Sequence, residues 1–531
     1  MFAAILVVIF LLHLPLLQLP YFWDEAGYYI PAARDVLLTG SLIPHTTVSN
    51  AHPPLVMLWL ALWWKIAGYA PAVTRSAMLF LAAFALLGVF RLANAVSNRE
   101  VALASTVCTA LYPVFFAQSS LAQVDLAAAG FSFWGLAAFV EGRGIAIVFW
   151  FALAGLAKET AIIAPVALAA YEVCGYAFGR YRHGLPDHRS DKDENGRDGK
   201  SPVALGNIPL LLASVIPLAI WYGYHYLRMG YVFGNPEYVR YNVLLTVAPL
   251  RFVLAFLLRL WQLFGYMHLW VLTLAALLAL WMLVPEQDSG SERRAIAPRS
   301  RTIFGVVIAA YVLAMSLIGG AVLARYMLPA IPLTIILFVS VLWRRLRDWV
   351  VVIAFVGSAL VAGWFWNPPY GFAPEDNLAY RDYVVLHQNA EQFLEARYPM
   401  ARVLSAWPAS DEIARPWLGY VTRPMQAERI ENFTLDQLVA AAGRFDYDVV
   451  LMFSTKYEPP PAFWDRWQPL ARLRERWKAH FFGYHHDLPP AAASRILGAR
   501  IVYSERLHGQ WIAVLEMERP QEALNSGAQD F

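Results

Sequence analysis

Long apolar runs separated by short polar stretches dominate the chain. Their lengths suit membrane-crossing helices better than the core of a soluble domain. Runs at about 2–19, 74–92, 100–117, 125–140, 145–157, 160–178, 203–225, 263–284, 302–322, from Arg325-Tyr326 to Trp343, and 349–366 predict about eleven transmembrane helices. Two further segments read differently. Residues 24–39 predict a short helix ended by Gly40. Residues 53–68 form an apolar run that is short for a crossing and opens on Pro53-Pro54, so it reads as a helix lying flat at the interface.

Basic residues test that assignment. The loops at 91–99, 143, 180–200, 293–301 and 344–347 are basic. They fall on one side only if 53–68 lies flat, and the positive-inside rule makes that side cytoplasmic. The N-terminus is then cytoplasmic, with 2–19 read as a retained first span, since it lacks a basic start and a small-residue cleavage site. Asp24, His52, Asp125, Lys158-Glu159, the 226–250 loop and Arg325 all come out on the opposite face. From Asn367-Pro368-Pro369 the pattern changes. Helices are expected at 379–397 and 461–480, and strands at 402–407, 447–453, 500–504 and 511–517. The division is therefore a transmembrane domain at 1–366, with outer juxtamembrane helices at about 24–39 and 53–68, and an extracytoplasmic α/β domain at 367–531.

Composition agrees. The 531 residues are 59% hydrophobic and 15% charged, against about 25% charged in soluble domains. A net charge of +3, spread over short loops, gives no sign of nucleic-acid binding. Cys108 and Cys174 lie in apolar runs and support neither a disulfide framework nor a zinc motif.

The candidate chemistry starts at Trp23-Asp24-Glu25, followed by Tyr28-Tyr29 one helical turn on. Two carboxylates beside hydrocarbon are costly and read as functional, although an interfacial aromatic belt with two solvated acids is the plainer alternative. Asp24 suits a general base for an incoming hydroxyl. Asp125 opens a span from the same side, or caps its helix. Lys158-Glu159 interrupts an apolar region; Lys158 can hold a phosphate as a point charge or pair internally with Glu159. Arg325-Tyr326 suits bidentate phosphate binding or snorkelling to the interface. His52 can contact a hydroxyl or a metal, or simply hydrogen-bond. His225 and Arg228, with Tyr238, Arg240 and Tyr241, read as weaker sugar or phosphate contacts. Asp446-Tyr447-Asp448, Asp191-Lys192-Asp193 and His485-His486-Asp487 define no metal site, and no Gly-rich nucleotide loop appears.

These residues resemble a known family. Trp23-Asp24-Glu25 with the tyrosine pair, His52-Pro53-Pro54-Leu55, Arg75 opening the next span, Asp125 after Ala117-Gln118-Ser119, Gly155-Leu156-Ala157-Lys158 and Arg325-Tyr326-Met327-Leu328-Pro329 resemble the C superfamily of integral-membrane glycosyltransferases (GT-C). Within it, the protein O-mannosyltransferases and lipid A aminoarabinose transferases are the nearest group. The matches cover about 1–345. The resemblance implies a polyprenyl phosphate sugar donor drawn from the membrane lipid and a lipid, polysaccharide or protein acceptor. Asp24 would be the base, with inversion at the anomeric carbon. Asp125 would orient the acceptor or support the base. Lys158, Arg325, Tyr326 and Arg228 would hold the lipid phosphate, and Glu25, Tyr28, Tyr29, His52, Glu159 and His225 would contact donor or acceptor sugar. Metal use varies across the superfamily, so a divalent ion is left open and no ligand set is assigned.

The expected protein is thus an inverting, polyprenyl-phosphate-sugar-dependent glycosyltransferase of the inner membrane. Its rivals are a transporter with a charged solute path and a non-catalytic envelope scaffold. A transporter would favour internal repeats and midplane charges, and the sequence has neither.

Overall fold

The computed structural model describes residues 1–183, 206–232, 234, 248–282, 293–318, 321–460 and 463–518. The chain is mostly helical and divides into two compact units. One comprises Met1–Gln18, Tyr28–Pro368 and Glu375–Leu378; the other comprises Leu19–Gly27, Pro369–Pro374 and Ala379–Phe531.

In the helical unit, five helices among the described residues are long and apolar enough to cross a membrane. They are Pro71–Val96, Glu159–Ala177, the paired segments of Asn207–Met229 and of Pro249–Leu280, each counted with its internal break, and Pro298–Ile318. Shorter apolar helices span Phe2–Leu16, Leu55–Ala67, Val124–Val140, Gly144–Ala157 and Trp349–Phe365. The helix expected at 53–68 is present as Leu55–Ala67, preceded by Pro54. The helix predicted to stop at Gly40 does so. Gly40 sits at φ 73°, a left-handed conformation open to glycine at little steric cost, and its N–H closes the last turn on Val36.

Two predicted spans are interrupted. The 100–117 run breaks into Arg99–Leu111 and Pro113–Gln118, because Pro113 forces Tyr112 into an extended conformation. The 263–284 run is broken near its start, and its helix begins at Leu269. Pro249–Phe264 and Leu269–Leu280 meet at a turn in which Met267 and His268 have φ 46° and 65°. A local left-handed excursion of this kind cannot continue an α-helix.

The second unit carries a five-stranded sheet: β1 Arg402–Ala406, β2 Gln426–Ile430, β3 Val449–Phe453, β4 Ala499–Leu507 and β5 Gln510–Met517, in the order β2-β1-β3-β5-β4. β1 pairs in parallel with both β2 and β3. β5 runs antiparallel to β3 and forms a hairpin with β4, with a register shift between Ile501 and Tyr503. Every residue of β3 is buried, as a central strand with both faces covered requires. β2 was not expected. It is an edge strand of mixed polarity, with Glu428 and Arg429 in its five residues, so no apolar run marks it. The predicted helix at 379–397 is present as Ala379–Arg397.

Candidate active site

The first candidate stretch folds as expected but with an unusual start. Asp24 is the first helical residue and is half-buried, and Glu25–Tyr29 then form a π-helical turn before the α-helix Ile30–Thr39. Such turns occur often at functional sites. Glu25 is fully buried, and its Oε2 accepts the Phe22 N–H at 2.8 Å while its own N–H donates to the Phe22 carbonyl at 2.8 Å. This reciprocal pairing ties off the helix start. Glu25 is therefore a structural cap in addition to any contact it makes with sugar. Trp23 is held at φ 41° by edge-on packing against Tyr383 and Trp407, each at 5.6 Å. Gly27 is required by close approach: a Cβ there would lie 2.3 Å from the Trp407 ring.

Within the helical unit a second set of candidates converges. Asp125 is in the first turn of the helix Val124–Val140. Lys158 is an extended residue at the break between Gly144–Ala157 and a short 3-10 turn, Glu159–Ile162. Lys158 Nζ donates to Asp125 Oδ1 at 2.6 Å, with the two side chains only 7% and 4% exposed. Arg325, on the 3-10 turn Ala324–Met327, places Nε 3.4 Å from Asp125 Oδ2. Its Nη1 donates to Glu375 Oε2 at 2.6 Å and also to Gln123. Gln123 Nε2 closes the ring by donating to Glu375 Oε2 at 2.9 Å. One face of this network is aromatic. Lys158 Nζ lies 4.0 Å from the centre of the Tyr326 ring, and the Arg325 and Arg259 guanidinium carbons lie 5.7 and 5.8 Å from it.

Arg259 has a distinct environment. It is fully buried on the helix Pro249–Phe264, and its hydrogen bonds go to neutral acceptors: Gln262 Oε1 and the Leu323 carbonyl, both at 2.8 Å, and the Met315 carbonyl. A buried guanidinium paired only with dipoles keeps its attraction for an anion.

The remaining candidates separate. His52 Nδ1 lies 2.8 Å from Glu159 Oε2, next in sequence to Lys158, and the Tyr29 and His52 rings are 6.0 Å apart. Tyr28 is half-buried on the same helix as Tyr29. His225 is held elsewhere, by the Ser49 hydroxyl at 2.9 Å and the Tyr231 carbonyl at 3.0 Å. That is the satisfied, structural arrangement. Arg228 is exposed and stacks over Tyr224. Tyr238, Arg240 and Tyr241 lie outside the described residues. Arg75 is buried and donates to the Ser120 carbonyl at 2.9 Å, bracing the loop that leads to Gln123 and Asp125.

Gln123, Arg259 and Glu375 were not singled out in the sequence. The available signals were Arg251 and Arg259, spaced two helical turns apart on an apolar helix, and Glu375-Asp376 in a Pro-rich connection. Asp376 is buried too and accepts the Tyr266 hydroxyl at 2.6 Å.

No family model matches the chain, and no curated protein matches it in sequence. Solved structures do. ArnT from Cupriavidus metallidurans bound to undecaprenyl phosphate is 12% identical, aligns over 97% of each chain and gives a TM-score of 0.51. The same protein in the apo state gives 13%, 97% of each chain and 0.50. An oligosaccharyltransferase from Archaeoglobus fulgidus aligns over 85% of this chain and 69% of that one, with 13% identity and a TM-score of 0.45. ArnT is a lipid A aminoarabinose transferase, a member of the group that the sequence motifs resemble. At this level of identity the likeness is one of architecture: the chain has the fold of ArnT along nearly its whole length.

Proposed function

We propose that this protein is an inverting glycosyltransferase that moves a sugar from a polyprenyl phosphate carrier to an acceptor hydroxyl at the outer face of the inner membrane. In this reading the shorter apolar helices other than Leu55–Ala67, together with the broken helix from Arg99 to Gln118 and the helix Ile331–Arg345, complete about eleven crossings, 1–366 is the transferase domain and 367–531 is extracytoplasmic. The observation that carries it is the convergence of Lys158, Arg325 and Arg259 on the Tyr326 ring. A lipid phosphate leaving group needs cations of this kind, and ArnT, which shares the fold, has been crystallised with undecaprenyl phosphate.

The chemistry follows from the side chains. The acceptor oxygen attacks the anomeric carbon while Asp24 takes its proton. The anomeric C–O bond to the phosphate breaks, and Lys158, Arg325 and Arg259 stabilise the charge gathering on the departing polyprenyl phosphate. Asp125 is engaged by Lys158, and its other oxygen faces Arg325. That engagement favours a role in positioning the two cations over one in proton transfer. His52 and Glu159, with Tyr28 and Tyr29, are the sugar-contact candidates.

Binding of polyprenyl phosphate to the detergent-solubilised protein tests this. Arg259→Gln is expected to weaken it at least tenfold, while Asp24→Asn leaves it unchanged. Absence of binding in the wild type would remove the reading, and pH-driven solute uptake without a lipid donor would favour a transporter.

A further inference from the structure

The sheet unit contains a buried cluster that the transfer reaction does not use. His387 and Glu391 are four residues apart on one face of the helix Ala379–Arg397, and Glu412 comes from the short helix Ala409–Ala414 that follows β1. The three are 1%, 0% and 0% exposed. His387 Nδ1 lies 2.7 Å from Glu412 Oε2 and 3.3 Å from Glu391 Oε1. One potential ligand atom from each residue falls within 4.8 Å of the others.

We propose that His387, Glu391 and Glu412 form a binding site for one divalent transition-metal ion of the zinc class, bracing the helix Ala379–Arg397 against the connection that follows β1. The polar atoms require something at this point. Both oxygens of Glu391 and Oε1 of Glu412 are buried and accept no well-formed hydrogen bond from a protein N–H or O–H, and the two carboxyl groups face each other. Among the described residues, neither carboxylate pairs with Lys or Arg. A neutral imidazole has one N–H at Nδ1, which cannot serve two carboxylates at once. Two buried, uncompensated carboxylates are costly, so the cluster must hold either a cation or a shared proton.

The geometry favours the cation. Zinc bonds to imidazole nitrogen and carboxylate oxygen are about 2.0–2.2 Å, so ligands in a tetrahedral site sit about 3.3 Å apart. The Glu391 separation already matches that spacing, and the Glu412 contact needs to open by about half an ångström. One imidazole with two carboxylates is also charge-neutral around a divalent ion. The surroundings fix the ring plane: Tyr383 stacks on His387 at 3.8 Å and Phe453 meets it edge-on at 4.7 Å, and a water would fill the ion's fourth position. The proposal is independent of the transferase reading, since it concerns stability rather than the reacting groups.

The test is metal analysis of the full-length, detergent-solubilised protein purified without chelator, followed by chelation and titration with Zn2+. We expect about one metal per chain, a lower Tm after chelation, and recovery of that Tm on adding zinc. Glu391→Gln and Glu412→Gln should each lose the bound metal and the zinc-dependent Tm shift, while His485→Ala, in the His485-His486 pair of the same unit, should keep both. Wild-type protein that binds no metal and melts identically with and without zinc would overturn the proposal and assign a shared proton to the cluster. Metal that persists in Glu391→Gln would overturn it equally, by assigning the ion elsewhere. If the glutamine variants do not fold, chelation and titration of the wild type decide the matter alone.

Discussion

The two units each bury a cluster of ionisable groups, and the clusters solve the same problem differently. In the helical unit, Asp125 and Glu375 are matched in charge by Lys158 and Arg325, with Gln123 hydrogen-bonded to both Arg325 and Glu375. In the sheet unit, Glu391 and Glu412 have only His387 between them. The first cluster carries its own counter-ions, so its charges are already fixed in place before any ligand arrives, which is what electrostatic preorganisation requires. The second is incomplete as protein alone. The difference between the two clusters is therefore one of charge balance: the first pairs each carboxylate with a cation of the same unit, and the second does not.

Breaking the matched cluster should have the largest effect. Lys158→Met or Arg325→Met leaves a buried carboxylate without its partner, and removal of one member of a buried pair costs about 3–5 kcal/mol. Thermal melting should fall accordingly and transfer should be lost. Lys158→Met with Asp125→Asn should recover stability but not transfer, which separates folding from chemistry. A smaller effect is expected from chelation, confined to the sheet unit: the Tm drops and zinc restores it, with no change in the affinity for polyprenyl phosphate.

A third effect concerns the close packing around the helix start. Gly27→Ala must displace the Trp407 ring, since no Cβ fits at 2.3 Å. Overpacking of this kind costs about 1–3 kcal/mol, and denaturant melts should show it. The smallest effect is at Glu395. Burial would raise its pKa, but hydrogen bonds from Thr422 and the Arg423 N–H outweigh that and hold the carboxyl below its usual range. Its contribution is present above the ordinary glutamate pKa and is lost as pH falls through the depressed folded value. Glu395→Gln should therefore flatten the acid limb of the stability curve slightly, by lowering stability a little at neutral pH and leaving it nearly unchanged below the depressed folded value.

Much of the helical architecture could be read from the chain, because apolar length and the placement of Arg and Lys are direct consequences of the bilayer. Asp125, Lys158 and Arg325 stood out for the same reason: each interrupts hydrocarbon. Glu375 did not, because it follows Pro-rich sequence after the last apolar run and looks like solvated linker. Arg259 was hidden in an amphipathic helix, where periodicity reports which face is polar but not whether that face is buried. β2 was hidden by edge polarity. His387, Glu391 and Glu412 were invisible as a group, since only the crossover after β1 brings Glu412 to the helix that carries the other two.

The most direct measurement is consumption of labelled polyprenyl phosphate sugars by the wild-type protein and by Asp24→Asn, with crude envelope extract as acceptor. One donor consumed by the wild type and spared by a folded Asp24→Asn variant is the expected result. Consumption that survives the substitution would contradict Asp24 as the base, and no consumption of any donor by the wild type would contradict the transferase itself.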